Sequence, residues 1–367
     1  MFEPQDTLRL HSTVGLALKG IGLASPNPLV GCVIVTDRNE VVGQGFHLYD
    51  LRDHAEIVAL KQAGERARGA SLFVNLEPCN HKGRTGPCTG AIISAGIRRV
   101  FVGMRDPNPN VTGRGIERLR GAGIEVVVAS GEDQEIFERL NESFSHWAVT
   151  GKPFVTLKSA LTLDGQLALP KSRKSKKRER ITSEESRAEV HRMRHASDAL
   201  LTGIGTILAD NPFLTDRSGL ERRRRLLRIV LDTHLRLPPK SRIVQTADDD
   251  LLVFTAAPLK SPKARALQNA GVELIHTKKT RAGLDLPSIL KELARRDILT
   301  VLLEAGPTLN AAALNAKIVN KLVLFYAPKL SGTTPVPFLK DARLDVSRLT
   351  IRTIRQFGPD VAIEVHL

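Results

Sequence analysis

The chain has 367 residues, 42% of them hydrophobic and 25% charged, with a formal charge of +15. That length supports two domains with full cores. No apolar run approaches the ~20 residues that cross a bilayer, and three cysteines are too few for a disulfide framework. The first residues, Met1-Phe2-Glu3-Pro4-Gln5-Asp6, lack the basic region and apolar core of a signal peptide, so a reducing cytoplasm is the expected compartment. The positive charge invites a nucleic-acid reading. Much of it is local, in Lys171 to Arg180 and Arg222 to Arg225, and aromatics are only 4% of the chain, too few for stacking platforms. Solvated loops come first as a reading, and a phosphorylated small-molecule partner second.

In chain order, 6–19 reads as a helix and Ser25-Pro26-Asn27-Pro28 as a turn. The apolar run 29–36 predicts a central strand, and 41–46 a second strand after the Asp37-Arg38-Asn39 turn. A helix over 54–67 is expected to turn Ile57, Val58 and Leu60 inward. The strand 71–76 delivers Glu77-Pro78-Cys79, and a helix starts at Cys88. Strands at 98–103 and 124–128, with a helix over 115–122 between them, complete a three-layer α/β/α domain. A helix over 132–149 ends at Thr150-Gly151-Lys152-Pro153, which reads as a stop and linker. Two domains follow, 1–150 and 151–367.

The second domain opens with a strand over 154–161. A helix runs from the cap Thr182-Ser183-Glu184-Glu185 to His195, and strands follow at 199–202, 227–231, 251–255, 299–303 and 321–326. Two strand-to-helix turns are rich in small residues, Gly203-Ile204-Gly205-Thr206 and Glu304-Ala305-Gly306-Pro307-Thr308-Leu309. Each offers backbone N–H groups to an anion, and each also fits a plain tight turn. No G-x-G-x-x-G fingerprint accompanies them.

The chemistry-bearing stretch is 54–88. His54-Ala55-Glu56 opens it, and Glu77-Pro78-Cys79 with Pro87-Cys88 closes it. One imidazole and two thiolates form a zinc ligand set that leaves a fourth position for water. A helix starting near Asp53 puts Glu56 where it faces that water without binding the metal. The pattern follows the zinc nucleobase deaminases. Zinc lowers the pKa of its water to roughly 7, and a carboxylate carries the proton to the ring and to departing ammonia. Singly, an exposed His-x-Glu and two buried cysteines have bland explanations; in combination they point to zinc.

At these residues the chain resembles the bifunctional riboflavin-biosynthesis deaminase–reductase family, RibD, over essentially its whole length. In the first half the resemblance rests on Pro26-Asn27-Pro28-Leu29-Val30-Gly31, His54-Ala55-Glu56, 77–85 and Asp106-Pro107-Asn108-Pro109. Eight residues separate Cys79 from Cys88, where cytidine and tRNA adenosine deaminases typically have about two. In the second half the matching motifs are Leu157-Lys158, Leu163-Asp164-Gly165, Ile181-Thr182-Ser183, Leu208-Ala209-Asp210-Asn211-Pro212 and Glu304-Ala305-Gly306-Pro307-Thr308.

The resemblance implies a cytidine-deaminase-like N-terminal domain and a dihydrofolate-reductase-like C-terminal α/β domain. It implies deamination of a diaminopyrimidinone ribosylamine 5′-phosphate, then reduction of its ribosyl group to ribityl by NADPH. Homo-oligomers are usual in the family. By position, His54, Cys79 and Cys88 hold zinc and Glu56 moves protons. Asn27, His47, His81 and Arg84 line the deaminase pocket, although Asn27 also fits a turn and His47 a strand end. NADPH falls to Ala160, Arg180, Thr206, Asp210, Thr233 and the turn Gly306, Pro307, Thr308, Leu309, Asn310, Ala311 and Ala312. The sugar phosphate falls to Arg178, Arg194, Leu214, Arg217 and Glu304, arginine being suited to bidentate phosphate binding. For Arg194 an exposed charge near a helix end is the competing reading.

The chain departs from the family in one loop. Arg180 stands where the family has tryptophan, and Arg178 where it has serine. Either the arginine face replaces an aromatic stack and adds charge toward the cofactor's 2′-phosphate, or the reductase is weak. Three rivals stay open at this point: a deaminase with an impaired second half, an RNA-directed base deaminase, and a zinc-stabilised binding protein.

Overall fold

A computed structural model describes residues 3–81, 86–109, 111–169, 180–281, 283–332, 336–342 and 349–367. The chain divides into two compact units, Met1–Gly151 with Glu221–Arg224, and Lys152–Leu220 with Arg225–Leu367. No described helix is long and apolar enough to cross a membrane.

The first unit is built on five strands, β1 (Gly31–Val35), β2 (Val41–Phe46), β3 (Ser71–Leu76), β4 (Arg99–Met104) and β5 (Glu125–Val128). They pair in the order β2-β1-β3-β4-β5. β1 is antiparallel to both neighbours, whereas β3, β4 and β5 run parallel. Every residue of β1 and β3 is buried, as expected of strands covered on both faces. Alternate residues feed two cores. Cys32, Ile34, Leu72 and Val74 pack on one side; Val33, Val35, Phe73 and Phe101 pack with Leu10 and Phe137 on the other.

The helix Ala55–Ala63 buries Ala55, Glu56, Ala59 and Ala63, while Ile57, Val58 and Leu60 are only half-buried. The inward face is therefore the small one, not the bulky one expected. The cause lies in β2: a Cβ at Gly45 would meet the Ala55 carbonyl oxygen, and one at Gly43 the Ala59 carbonyl. Helix and strand backbones touch, leaving no room for larger side chains. A second difference is at Asn141, which splits the expected long helix into Glu132–Leu140 and Glu142–Thr150. Its buried amide accepts from Leu29 N (2.8 Å) and donates to Leu29 O (3.0 Å), satisfying backbone groups just before β1.

The second unit carries β6 (Phe154–Thr162), β7 (Ala199–Gly203), β8 (Leu227–Leu231), β9 (Leu251–Thr255), β10 (Val272–His276), β11 (Lys279–Thr280), β12 (Gly283–Leu284), β13 (Thr300–Leu303), β14 (Lys321–Ala327), β15 (Thr350–Phe357) and β16 (Asp360–His366). β11 and β12 form a small ladder; the others form one sheet, ordered β10-β9-β8-β7-β13-β6-β14-β16-β15. The strands from β10 to β14 in that order are parallel, and β16 and β15 add an antiparallel edge. β10, β15 and β16 are not among the strands expected from the sequence. β15 is exposed along most of its length and interleaves Arg352, Arg355 and Gln356 with its isoleucines, which breaks the apolar signal. The chain steps outward from β7 to β10, then returns to place β13 between β7 and β6. That reversal opens a crevice at the carboxyl ends of the strands.

Candidate active sites

In the first unit, His54 is the N-cap of the helix Ala55–Ala63, which sets Glu56 in its first turn. β3 ends just before Glu77-Pro78-Cys79, and Cys88 is the first residue of the helix Cys88–Ser94. His54 Nδ1 lies 3.5 Å from Cys79 Sγ and 3.2 Å from Cys88 Sγ. All three donor atoms lie within 4.8 Å of one another. A tetrahedral zinc with its usual bond lengths spaces such donors about 3.5 Å apart, so the set fits the metal. A hydrogen bond from Cys88 lowers the Cys79 pKa despite its burial. The same contact pushes the Cys88 thiol up. Glu56 is 3% exposed, and burial raises its pKa, suiting it to hold a proton and release it.

Glu77 anchors the loop beside the cluster. Its buried carboxylate accepts from the backbone N–H groups of Asp106 (3.1 Å), Gly113 (2.9 Å), Gly115 (2.9 Å) and Ile116 (3.2 Å). A Cβ at Gly115 would meet the Pro78 carbonyl, so this turn closes directly over the approach to Cys79. In the sequence Glu77 was only part of a motif; its four partners lie 29 to 39 residues away.

Asn27 and His47 come together. His47 Nδ1 donates to the Asp53 carbonyl (2.9 Å), which leaves Nε2 to accept from Asn27 Nδ2 (2.9 Å). The His47 ring stands edge-on to His54, with centroids 5.4 Å apart. His81 is exposed, and Arg84 lies outside the described residues.

In the second unit, a cavity of about 660 Å³ lies at the strand ends. Of the expected residues, Ala160, Thr206, Asp210, Leu214, Thr233, Glu304 and, from the turn, Gly306, Pro307, Thr308, Leu309 and Ala312 line it. Asn310 and Ala311 do not; both are buried in the interior, and Asn310 Nδ2 donates to the Phe338 carbonyl (3.1 Å). Arg180 is exposed and outside the wall, its carbonyl accepting from Lys329 Nζ (2.8 Å). Arg178 and the rest of 171–179 lie outside the described residues.

Arg194 is not an exposed charge. Its Nε and Nη2 donate to the two Glu304 oxygens (2.7 and 3.0 Å), and Nη1 donates to the Thr215 carbonyl (3.1 Å). Burial alone would raise the Glu304 pKa, but Arg194 and Lys158 outweigh it and hold the carboxyl below its ordinary value. Lys158 lies in the cavity wall, where burial lowers its pKa against the pull of Glu304. In the sequence Lys158 stands out only as part of the Leu157-Lys158 motif. Leu214 has φ 55, and its loop is fixed by the Thr215 contact and by a buried His195–Asp216 pair at 3.1 Å. Arg217 is exposed.

The family model described as RibD C-terminal domain matches residues 153–363. That for the cytidine and deoxycytidylate deaminase zinc-binding region matches 5–104. The chain belongs to the RibD family. Riboflavin biosynthesis protein RibD of Aquifex aeolicus is 41% identical over 333 residues, covering 90% of this chain and 89% of that one. RibD of Escherichia coli is 38% identical over 378 residues, covering 98% and 99%. The solved Acinetobacter baumannii RibD superposes with a TM-score of 0.84 at 33% identity, covering 99% of this chain and 98% of that one. The chain is thus a zinc-dependent deaminase and a reductase of the NADPH-dependent type, acting in riboflavin biosynthesis on a small molecule.

Proposed function

We propose that the first unit deaminates 2,5-diamino-6-ribosylamino-4(3H)-pyrimidinone 5′-phosphate and the second reduces the ribosyl group of the product to ribityl. The observation that carries this is the pairing of a His54/Cys79/Cys88 cluster with buried Glu56 in one unit and a Lys158–Glu304–Arg194 array in a cavity of the other. A Thermotoga maritima structure titled as the corresponding deaminase and reductase has a TM-score of 0.80 and 33% identity.

Zinc, when held by His54, Cys79 and Cys88, supplies a Lewis acid that makes hydroxide available near pH ~7. Glu56 would accept one proton from the water and deliver it to the ring nitrogen, then take the proton of the newly added hydroxyl and deliver it to the amino group, which leaves as ammonia. Asn27 and His47 fix the polar edge of the pyrimidine. In the second unit NADPH, when bound, supplies hydride. Glu304, kept ionised by Arg194, keeps a negative charge facing Lys158, and the ammonium of Lys158 would donate the proton that accompanies reduction. With the Arg194 fork committed to Glu304, the exposed Arg217 is left to meet the phosphate. The protein acts in the cytoplasm, without nucleic acid, as a homo-oligomer. Exposed Ile351 and Ile354 on the edge strand β15 support self-association.

The test supplies the pyrimidinone substrate and NADPH to zinc-loaded protein and follows ammonia and NADPH together. Both should change in equal amounts. Ammonia without NADPH oxidation removes the reductase assignment, and neither changing removes both.

A further inference from the structure

We infer that Arg236 reads the 2′-phosphate of the dinucleotide and sets the preference for the phosphorylated cofactor. This rests on the reading of the second unit's cavity as the cofactor site.

The cavity has a reacting end and a far end. Lys158 on β6 and Glu304 after β13 mark the first, where the nicotinamide must meet substrate. The wall continues past Gly203 at the end of β7 and Thr206 after it to Thr233 and Arg236 after β8. β8 is two strands from β13, a step of roughly 10 Å at ordinary strand spacing. A dinucleotide with its nicotinamide beside Glu304 therefore carries its adenosine end toward Arg236.

Arg236 is presented there by a fixed turn. Leu235 N donates to the Asp232 carbonyl (3.1 Å), and Leu237 N to Asp232 Oδ2 (2.7 Å). Leu235, at φ 52, and Leu237 are both buried, which leaves the arginine between them exposed at the cavity rim. Arg194, Arg228 and Arg296 all hold carboxylates. Arg236 has no hydrogen bond or ion pair among the described residues.

The acid at the end of β8 points to the same specificity. A carboxylate facing a cofactor ribose would accept from a free 2′-hydroxyl and repel a 2′-phosphate. Asp232 is fully buried, with Oδ2 turned onto Leu237 N. Oδ1 is buried as well, with no hydrogen-bond partner among the described residues, and Asp232 is not part of the cavity wall. Asp210, exposed at the rim, suits the other ribose hydroxyl. A guanidinium without a partner beside a withdrawn carboxylate is the arrangement a phosphate monoester needs, since the planar fork binds two oxygens at once.

The test is calorimetric titration of the full-length protein with adenosine 2′,5′-bisphosphate and with 5′-AMP, alongside steady-state kinetics. The wild type should bind the bisphosphate more tightly. Arg236→Gln should lose about 10- to 100-fold in bisphosphate affinity, the range of a charge-assisted hydrogen bond, with 5′-AMP changed less than about twofold. Arg236→Lys should keep part of the preference, and the KM for NADPH should rise more than kcat falls. An unchanged preference in Arg236→Gln overturns the inference, as does equal loss of both probes, which would mean a disordered turn. A raised KM for the pyrimidine with bisphosphate binding intact assigns Arg236 to the substrate's phosphate instead and also overturns it. Wild-type protein that binds neither probe overturns the cofactor reading of the cavity itself.

Discussion

Replacing Glu304 by glutamine tests the electrostatics of the second unit. The carboxylate and Arg194 meet through two bonds of 2.7 and 3.0 Å, with side chains only 15% and 10% exposed. Removing one partner of such a pair leaves a buried charge without its counter-ion, at a cost of about 3–5 kcal/mol. Lys158 loses its counter-charge too, so its pKa falls further and fewer molecules hold the ammonium. The sign of the pH effect follows from Glu304, whose folded pKa lies below the ordinary carboxylate value. Its contribution is complete above about pH 5 and is lost as the pH falls through the folded pKa. The gap between wild type and Glu304→Gln should be flat from about pH 6 to 8 and shrink in acid. The chain's single tryptophan, Trp147, belongs to the first unit. Urea unfolding is therefore best followed by circular dichroism, taking the second unit's transition separately. Arg194→Met with Glu304→Gln should recover part of the loss. A destabilisation below about 1 kcal/mol, or one that persists unchanged in acid, would refute the account.

Glu56→Gln should lower ammonia release by about 10²- to 10⁴-fold with zinc content unchanged by elemental analysis; a parallel loss of zinc would mean a structural role. Stripping zinc with a chelator should lower the thermal transition of the first unit and stop deamination. NADPH oxidation with already deaminated substrate should continue, and its loss would argue against separate sites. Gly45→Ala drives a methyl group into the Ala55 carbonyl and should cost about 1–3 kcal/mol in the first unit. Deamination should fall more than reduction, because the displaced helix carries Glu56; an unchanged melting curve would show that the helix has room to move.

Local chemistry carried most of the first site. His54, Cys79 and Cys88 announce themselves by residue type and by their positions at a helix start, a strand end and a second helix start. Asn27 and His47 were recognised separately, but their mutual bond depends on β1 and β2 folding back. The bulky face of 54–67 misled because hydrophobic periodicity ignores Gly43 and Gly45, which decide how close the helix comes. Asn141 misled for a related reason: a polar residue in a helical pattern reads as surface until its partner, 112 residues earlier, is placed. The second site was harder. Arg194 reads in isolation as an exposed charge near a helix end, and only the insertion of β13 between β7 and β6 brings Glu304, 110 residues later, onto its fork. Arg236 has no periodic or motif signature at all; it matters because β8 ends where the crevice continues.

Each reaction is housed within one unit with its own sheet and core. In genetic terms, two defective alleles ought to rescue each other. A cell expressing one copy inactive at Glu56 and another inactive at Lys158 should grow without supplied riboflavin, the deaminated intermediate passing between molecules by diffusion. Splitting the gene is a less clean operation than crossing two point mutants. Glu221–Arg224 group with the first unit although they lie deep in the second half of the chain, so a break after Gly151 would leave the amino-terminal fragment without a piece of itself.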